Sequence, residues 1–151
     1  MARQIRRILY ATDFSKASAR ALDEAIRLAK QNHAELLVVH VIEPAGQYAA
    51  GEDFAGAELY MKMEEAAEQD AQRSMQKLMR KLKQARVDAK SLLLKGLAAH
   101  EQIVKAAKSR KANMIVIGTH GRTGLSKLVM GSVAGKVVSL ASCPVVVVRG
   151  K

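Results

Sequence analysis

From Glu35 to Ile42 the chain reads Glu-Leu-Leu-Val-Val-His-Val-Ile. A continuous apolar run this short cannot cross a bilayer, which takes about 18 residues. Its β-branched residues predict a strand covered on both faces, and such a strand demands helices on either side. Similar segments recur at Ile5 to Ala11, Leu92 to Leu94, Met114 to Ile117 and Val145 to Val148. Helical periodicity fills the intervals. Ser15 or Ser18 can cap a helix with Ala21, Leu22, Ala25, Ile26 and Ala29 on its apolar face, ending near Asn32, which tolerates a left-handed cap. Pro44, Gly46, Gly51 and Gly56 mark a loop before a long helix from about Ala57 to Ala85. Ile103, Ala106 and Ala107 face a third helix inward, and a short fourth helix runs from about Gly131 to Leu140. Five alternations of strand and helix, without internal repeat or linker, predict an α/β fold: a doubly wound, five-stranded parallel sheet.

With 151 residues, of which 49% are hydrophobic, the chain can build one well-buried core, so a single domain over 1–151 is expected. The segment before the first strand, Met-Ala-Arg-Gln-Ile-Arg-Arg, lacks the apolar stretch of a signal peptide. A cytoplasmic protein with no membrane insertion is therefore expected. Cys143 is the one cysteine and stands before Pro144 in apolar surroundings, as a small buried thiol would.

Twenty-five Lys and Arg against fourteen Asp and Glu give a formal charge of +11, which raises a polyanionic partner as a possibility. Between Glu58 and Arg86, however, the acids come first and the cations last, which suits a helix macrodipole without any ligand. Aromatics make up only 3%, too few for the stacking platforms of single-strand or RNA binders. On the sequence, nucleic acid is the disfavoured partner.

Open α/β sheets bind ligands beyond the carboxyl ends of their strands, where the strand order reverses. Two loops there are unusual: Ala11-Thr12-Asp13-Phe14-Ser15 after the first strand, and Gly118-Thr119-His120-Gly121-Arg122-Thr123-Gly124 after the fourth. Both open one crevice if strands one and four are neighbours, as in the order 3-2-1-4-5. The glycine stretch is neither a Walker A loop nor a dinucleotide fingerprint, since G-x4-G-K-S/T and G-x-G-x-x-G are both missing. What it offers is Gly118-x2-Gly121-x9-Gly131-Ser132, following a strand and ending at a helix start. Backbone amides there can approach an anion without obstruction by Cβ atoms.

That spacing, with Ile8-Leu9-Tyr10-Ala11-Thr12-Asp13-Phe14-Ser15 and the closing Ser142-Cys143-Pro144-Val145-Val146-Val147-Val148, resembles the universal stress protein family over essentially the whole chain. The resemblance implies a Rossmann-like fold of the adenine nucleotide alpha hydrolase type, with strand order 3-2-1-4-5. It also implies ATP binding, the property of the family's glycine-motif members, and a homodimer. Asp13 would contact adenine or its neighbourhood, Ala11 and Thr12 would shape the pocket, and Val41 would meet the base through its backbone. Gly118 and Gly121 would line the ribose and phosphate path. Gly131, Ser132 and the Val133 amide would receive phosphate oxygens, and His120 and Arg122 are candidates by charge and location. One departure is Gly96-Leu97-Ala98, where many relatives have Gly-x-Pro before the third helix.

More ordinary roles compete with these. Asp13 can be a turn residue. Gly124 and Gly135 read as a turn and a close helix contact, His40 as a packed, hydrogen-bonded histidine, and His33 and His100 as solvent-facing. No pair among His33, His40, His100 and His120 has metal-ligand spacing, so Mg2+ or Mn2+ is expected only as carried by the triphosphate. Beyond Asp13 and His120 the site loops offer no carboxylate to serve as a base near the terminal phosphate, which favours a nucleotide-dependent switch or sensor over a catalyst. A slow ATPase and a nucleotide-independent basic adaptor are the alternatives. Val145 to Val148, an uncharged edge strand on the implied order, is the expected dimer contact.

Overall fold

The structure is a computed structural model and describes residues 3–44, 54–119 and 130–150. The elements run β1 (Arg7–Ala11), α1 (Lys16–Asn32), β2 (Glu35–Ile42), α2 (Phe54–Gln84), β3 (Ala89–Lys95), α3 (Ala99–Ser109), β4 (Met114–Gly118), α4 (Ser132–Leu140) and β5 (Val145–Val148). The five strands are all parallel, in the order β3-β2-β1-β4-β5. The expected fold class and strand order are therefore observed.

The chain winds outward from β1 through α1, β2 and α2 to β3, then crosses back by α3 to β4 on the far side of β1. Right-handed crossovers in both directions put α1 and α2 on one face and α3 and α4 on the other. The two buried clusters follow this division. Ile8, Tyr10, Leu36 and Val38 pack against Ala21, Leu22 and Ala25 of α1 and Met75 and Leu82 of α2. Leu9, Leu37, Val39, Ile115 and Ile117 pack against Ile103 and Ala106 of α3 and Ala134 and Val137 of α4. Alternate residues of each strand thus feed opposite cores, so β1 and β2 need apolar residues at every central position. Tyr10 is fully buried, and its hydroxyl is satisfied by donating to the Ser18 carbonyl at 2.8 Å.

Local corrections have physical causes. The left-handed cap of α1 is His33 (φ 53°) and not Asn32, whose side chain donates back to the Leu28 carbonyl instead. Helix α2 begins at Phe54, so Gly56 lies inside it rather than in the preceding loop. Strand β3 is longer than its leucine run, because Lys90, Ser91 and Lys95 occupy exposed places on a sheet edge. Gly135 was expected in a close helix contact. Among the described residues a Cβ there would meet only the Met130 sulfur, at 4.0 Å, so that contact is not tight.

Candidate functional site

At the carboxyl ends of the strands, β1 and β4 are neighbours whose following connections leave on opposite faces of the sheet. This is the switch point of the sheet, and a crevice opens there. Its first wall is the turn from β1 into α1. Thr12 continues the ladder by donating its amide to the Val39 carbonyl at 2.9 Å, and its hydroxyl then accepts the Phe14 amide at 2.9 Å. The Asp13 carboxylate accepts the Ser15 amide at 2.9 Å. Ser15 in turn caps α1, its hydroxyl accepting the Ser18 amide at 3.3 Å and its carbonyl accepting from the Ser18 hydroxyl at 2.7 Å. The turn therefore takes up the Ser18 amide of α1's first turn internally. Phe14 pays for this geometry with a left-handed backbone (φ 63°).

His40 holds the turn from the neighbouring strand. Its Nδ1 lies 2.8 Å from the Thr12 carbonyl, and its ring sits against Phe14 with centroids 4.4 Å apart. A carbonyl can only accept, so Nδ1 carries the proton of this bond. The packed, hydrogen-bonded role expected of His40 is what the structure has, and the residue is buried. Sequence inspection had no reason to tie it to the crevice; the one signal was a lone polar residue near the carboxyl end of an apolar strand. Val41 follows it, half-buried, opposite Leu94 of β3.

The second wall is built from β4 and α4. Gly118 ends β4 opposite Val148, and buried Thr119 extends the ladder by donating to the Val148 carbonyl at 2.9 Å. The Thr119 carbonyl then accepts the Gly131 amide at 2.6 Å, which ties the start of α4 to the end of β4. Gly131 is the N-cap residue (φ −59°, ψ 156°) and has no side chain to offer the amides of Ser132 and Val133. Helical geometry gives those amides no partner in their own helix. Val133 anchors the turn by packing into the core beneath α4, while Ser132 is exposed. Thr119 was not singled out from the sequence, though it joins the two walls.

The structure thus gathers Ala11, Thr12, Asp13, Val41, Gly118, Gly131, Ser132 and Val133 at the carboxyl ends of adjacent strands. His120, Gly121, Arg122 and Gly124 lie outside the described residues. Cys143 is half-buried, and burial pushes its thiol up, away from reactivity.

A model of the universal stress protein family matches residues 4–149, and the chain belongs to that family. A universal stress protein of Thermus aquaticus is 40% identical over 142 residues, covering 94% of this chain and 97% of that protein. Among solved structures, that of the Methanocaldococcus jannaschii protein MJ0577 superposes with a TM-score of 0.86 at 27% identity, covering 99% of each chain. Two more distant structures share the fold and hold nucleotides. One is a universal stress protein in complex with cAMP, with TM-score 0.63, 21% identity and coverage of 99% and 100%. The other is the Archaeoglobus fulgidus protein in complex with dAMP, with TM-score 0.59, 23% identity and coverage of 96% and 98%. No described helix is long and apolar enough to cross a membrane.

Proposed function

We propose that this protein binds an adenine nucleotide, ATP in its working form, in the crevice between β1 and β4 and acts as a nucleotide-dependent switch or sensor. The observation that carries this is the start of α4: two amides without helical partners, no capping side chain at Gly131, and a tether to β4 that holds them beside the switch point. The positive end of a helix dipole and unencumbered amides favour an anion there. Gly131, Ser132 and Val133 are assigned to the phosphates, with Gly118 and Gly121 on the ribose and phosphate path. His120 and Arg122 are assigned to the same end, and Mg2+ or Mn2+ would arrive with the triphosphate. Ala11, Thr12, Asp13 and the Val41 backbone are assigned to the base. Family membership supports the proposal, as do fold relatives described with cAMP and dAMP.

The same residues favour a switch over a turnover enzyme. The Asp13 carboxylate is engaged by the Ser15 amide at the base end of the proposed pocket, remote in role from a terminal phosphate. Equilibrium titration with ATP, with and without Mg2+, followed by product analysis, tests this. ATP should bind and persist, with turnover far below the roughly 1 to 10³ s⁻¹ of ordinary enzymes. Turnover in that range would make the protein an ATPase, and absence of binding would leave the basic-adaptor reading.

The proposal includes a homodimer. Strand β5, Val145–Val148, is one edge of the sheet and carries no charge, whereas Lys90 and Lys95 guard the other edge at β3. An unguarded apolar edge is a template for pairing, and a twofold axis would close it as a dimer. Light scattering should report a dimer for the parent and a monomer for Val146→Pro/Val147→Lys; a monomeric parent would remove the dimer from the proposal.

A further inference from the structure

Opposite the crevice, at the amino ends of the strands, the fold collects the net charge of the described residues. Arg3, Arg6 and Arg7 lead into β1, and Lys90 stands near the start of β3. Helix α1 ends with Lys30, and α2 ends with Arg80, Lys81 and Lys83 followed by Arg86. Helix α3 ends with Lys108 followed by Arg110 and Lys111. Short contacts join these segments: Glu35 accepts from Arg7 at 2.8 Å and Lys90 at 3.2 Å, and Arg7 also donates to the Arg110 carbonyl. Arg80 and Lys83 line one open groove with Asp88. Among the described residues, twelve of the 22 Lys and Arg but only two of the 12 Asp and Glu stand at this pole, so the remaining ten cations and ten acids cancel. All of the twelve except half-buried Arg7 are exposed.

Helix dipoles do not account for this concentration. Four helices end at the pole, and their carboxyl termini together amount to about two negative charges. Three of the terminating positions, His33, Arg86 and Lys111, adopt left-handed backbone (φ 53°, 60° and 55°) where glycine is the residue of lowest cost. Two of those three carry a full cation into a conformation that side chains resist. The cations come from α1 and α2 on one face, α3 on the other and the sheet between them, so they form a surface wider than one helix.

We infer that this pole is a docking surface for the phosphate backbone of a double-stranded nucleic acid. A duplex presents a charge about every 1.7 Å along its axis, and neutralising several of them needs an array of exposed Lys and Arg like this one. The scarcity of aromatics, 3% of the chain, removes base stacking and with it single strands, but phosphate contacts to a duplex do not need stacking. A membrane surface would ask for apolar side chains beside the cations. Leu59, Met61, Met63, Leu97 and Met130 stand toward the other pole, and of the exposed large hydrophobics among the described residues only Val138 and Leu140, at the end of α4, stand at this one.

The test is fluorescence anisotropy with labelled 20-base-pair duplexes of arbitrary sequence, one DNA and one RNA, without nucleotide, so that it succeeds or fails independently of ATP binding. The affinity should fall log-linearly with salt, with a slope steeper than about −3. At 0.1 M salt, where screening confines charge effects to about 10 Å, Lys83→Glu/Arg86→Glu/Lys111→Glu should weaken binding about tenfold or more. The charge-matched control Lys16→Glu/Lys62→Glu/Lys95→Glu, at the other pole, should change it less than threefold. Arg86→Gly/Lys111→Gly relieves the left-handed strain, so it should keep or raise Tm while still lowering duplex affinity. The DNA and RNA arms decide which duplex is preferred. Equal losses in the two charge-reversed variants, unchanged affinity in the glycine variant, or equally tight binding of oligo-dT would overturn the inference. So would binding to phosphatidylserine vesicles with none to duplexes.

Discussion

The two ends of the sheet hold anions, on this account, by opposite means. At the carboxyl end the described residues of the crevice are small and mostly uncharged: Thr12, Ser15, Gly118, Thr119, Gly131 and Ser132. The attraction there comes from backbone, because helix amino termini point at that pole. At the amino end the helices present their negative termini, and cationic side chains have to reverse the sign. A parallel sheet makes this asymmetry unavoidable, since every strand and every helix contributes its dipole in the same sense. One pole can therefore be shaped for a small ligand at close range, and the other for a large, diffuse one. The carboxyl end is itself unequal. Ser15 caps α1 through the Ser18 amide, Ala98 leaves α3 without a side-chain cap but behind the edge strand β3, and of these three helices α4 alone starts without a side-chain cap at the switch point.

Substitutions at each pole should move different observables. Asp13→Ala should weaken ATP and AMP alike, about tenfold, because a contact to the base is common to both; a charge-assisted hydrogen bond is worth about that much. A loss confined to ATP would move Asp13 to the phosphate end. The same change removes the acceptor of the Ser15 amide, so a fall of about 1 kcal/mol in stability should accompany it. The Lys83, Arg86 and Lys111 reversal should leave ATP affinity unchanged.

A smaller effect is expected at the amino pole from Glu35, whose carboxylate is only 15% exposed. Burial would raise its pKa, but Lys90 and Arg7 outweigh burial and hold the group below the ordinary carboxylate value. A folded pKa below the unfolded one means that this contribution is complete above the unfolded value and is lost as pH falls through the folded one. Urea unfolding of Glu35→Gln should show a loss of about 1 kcal/mol near neutrality, shrinking toward zero in acid. A loss that persists at acid pH would assign Glu35 a packing role instead.

Strands β1, β2 and β4 were legible because burial on both faces forces uninterrupted apolar runs, and edge strand β5 because its half-buried valines pack against both cores. Strand β3 was seen only in its leucines, since an edge strand can carry Lys90, Ser91 and Lys95 and lose the pattern. The crevice was half legible. Glycine spacing and the turn after β1 could be read directly, while Thr119 and His40 act through pairings between β1, β2, β4 and β5 that no local pattern reveals. The basic pole was least legible. Its cations are scattered between Arg3 and Lys111, and the macrodipole explained the one cluster that sequence proximity made visible. Only the winding of the chain brings them together.

On the proposed function, the amides opening α4 hold phosphate. Gly131 has φ −59°, a value open to any residue, so Gly131→Val should fold with nearly the parent's stability while placing a branched side chain where phosphate would approach. Isothermal titration of ATP and adenosine into the parent and this variant tests the claim directly. The parent should bind ATP at least about a hundredfold more tightly than adenosine, a difference of about 2.7 kcal/mol. In the variant ATP should fall to the level of adenosine. Equal affinity for the two ligands in the parent, or undiminished ATP binding by the folded variant, would contradict it.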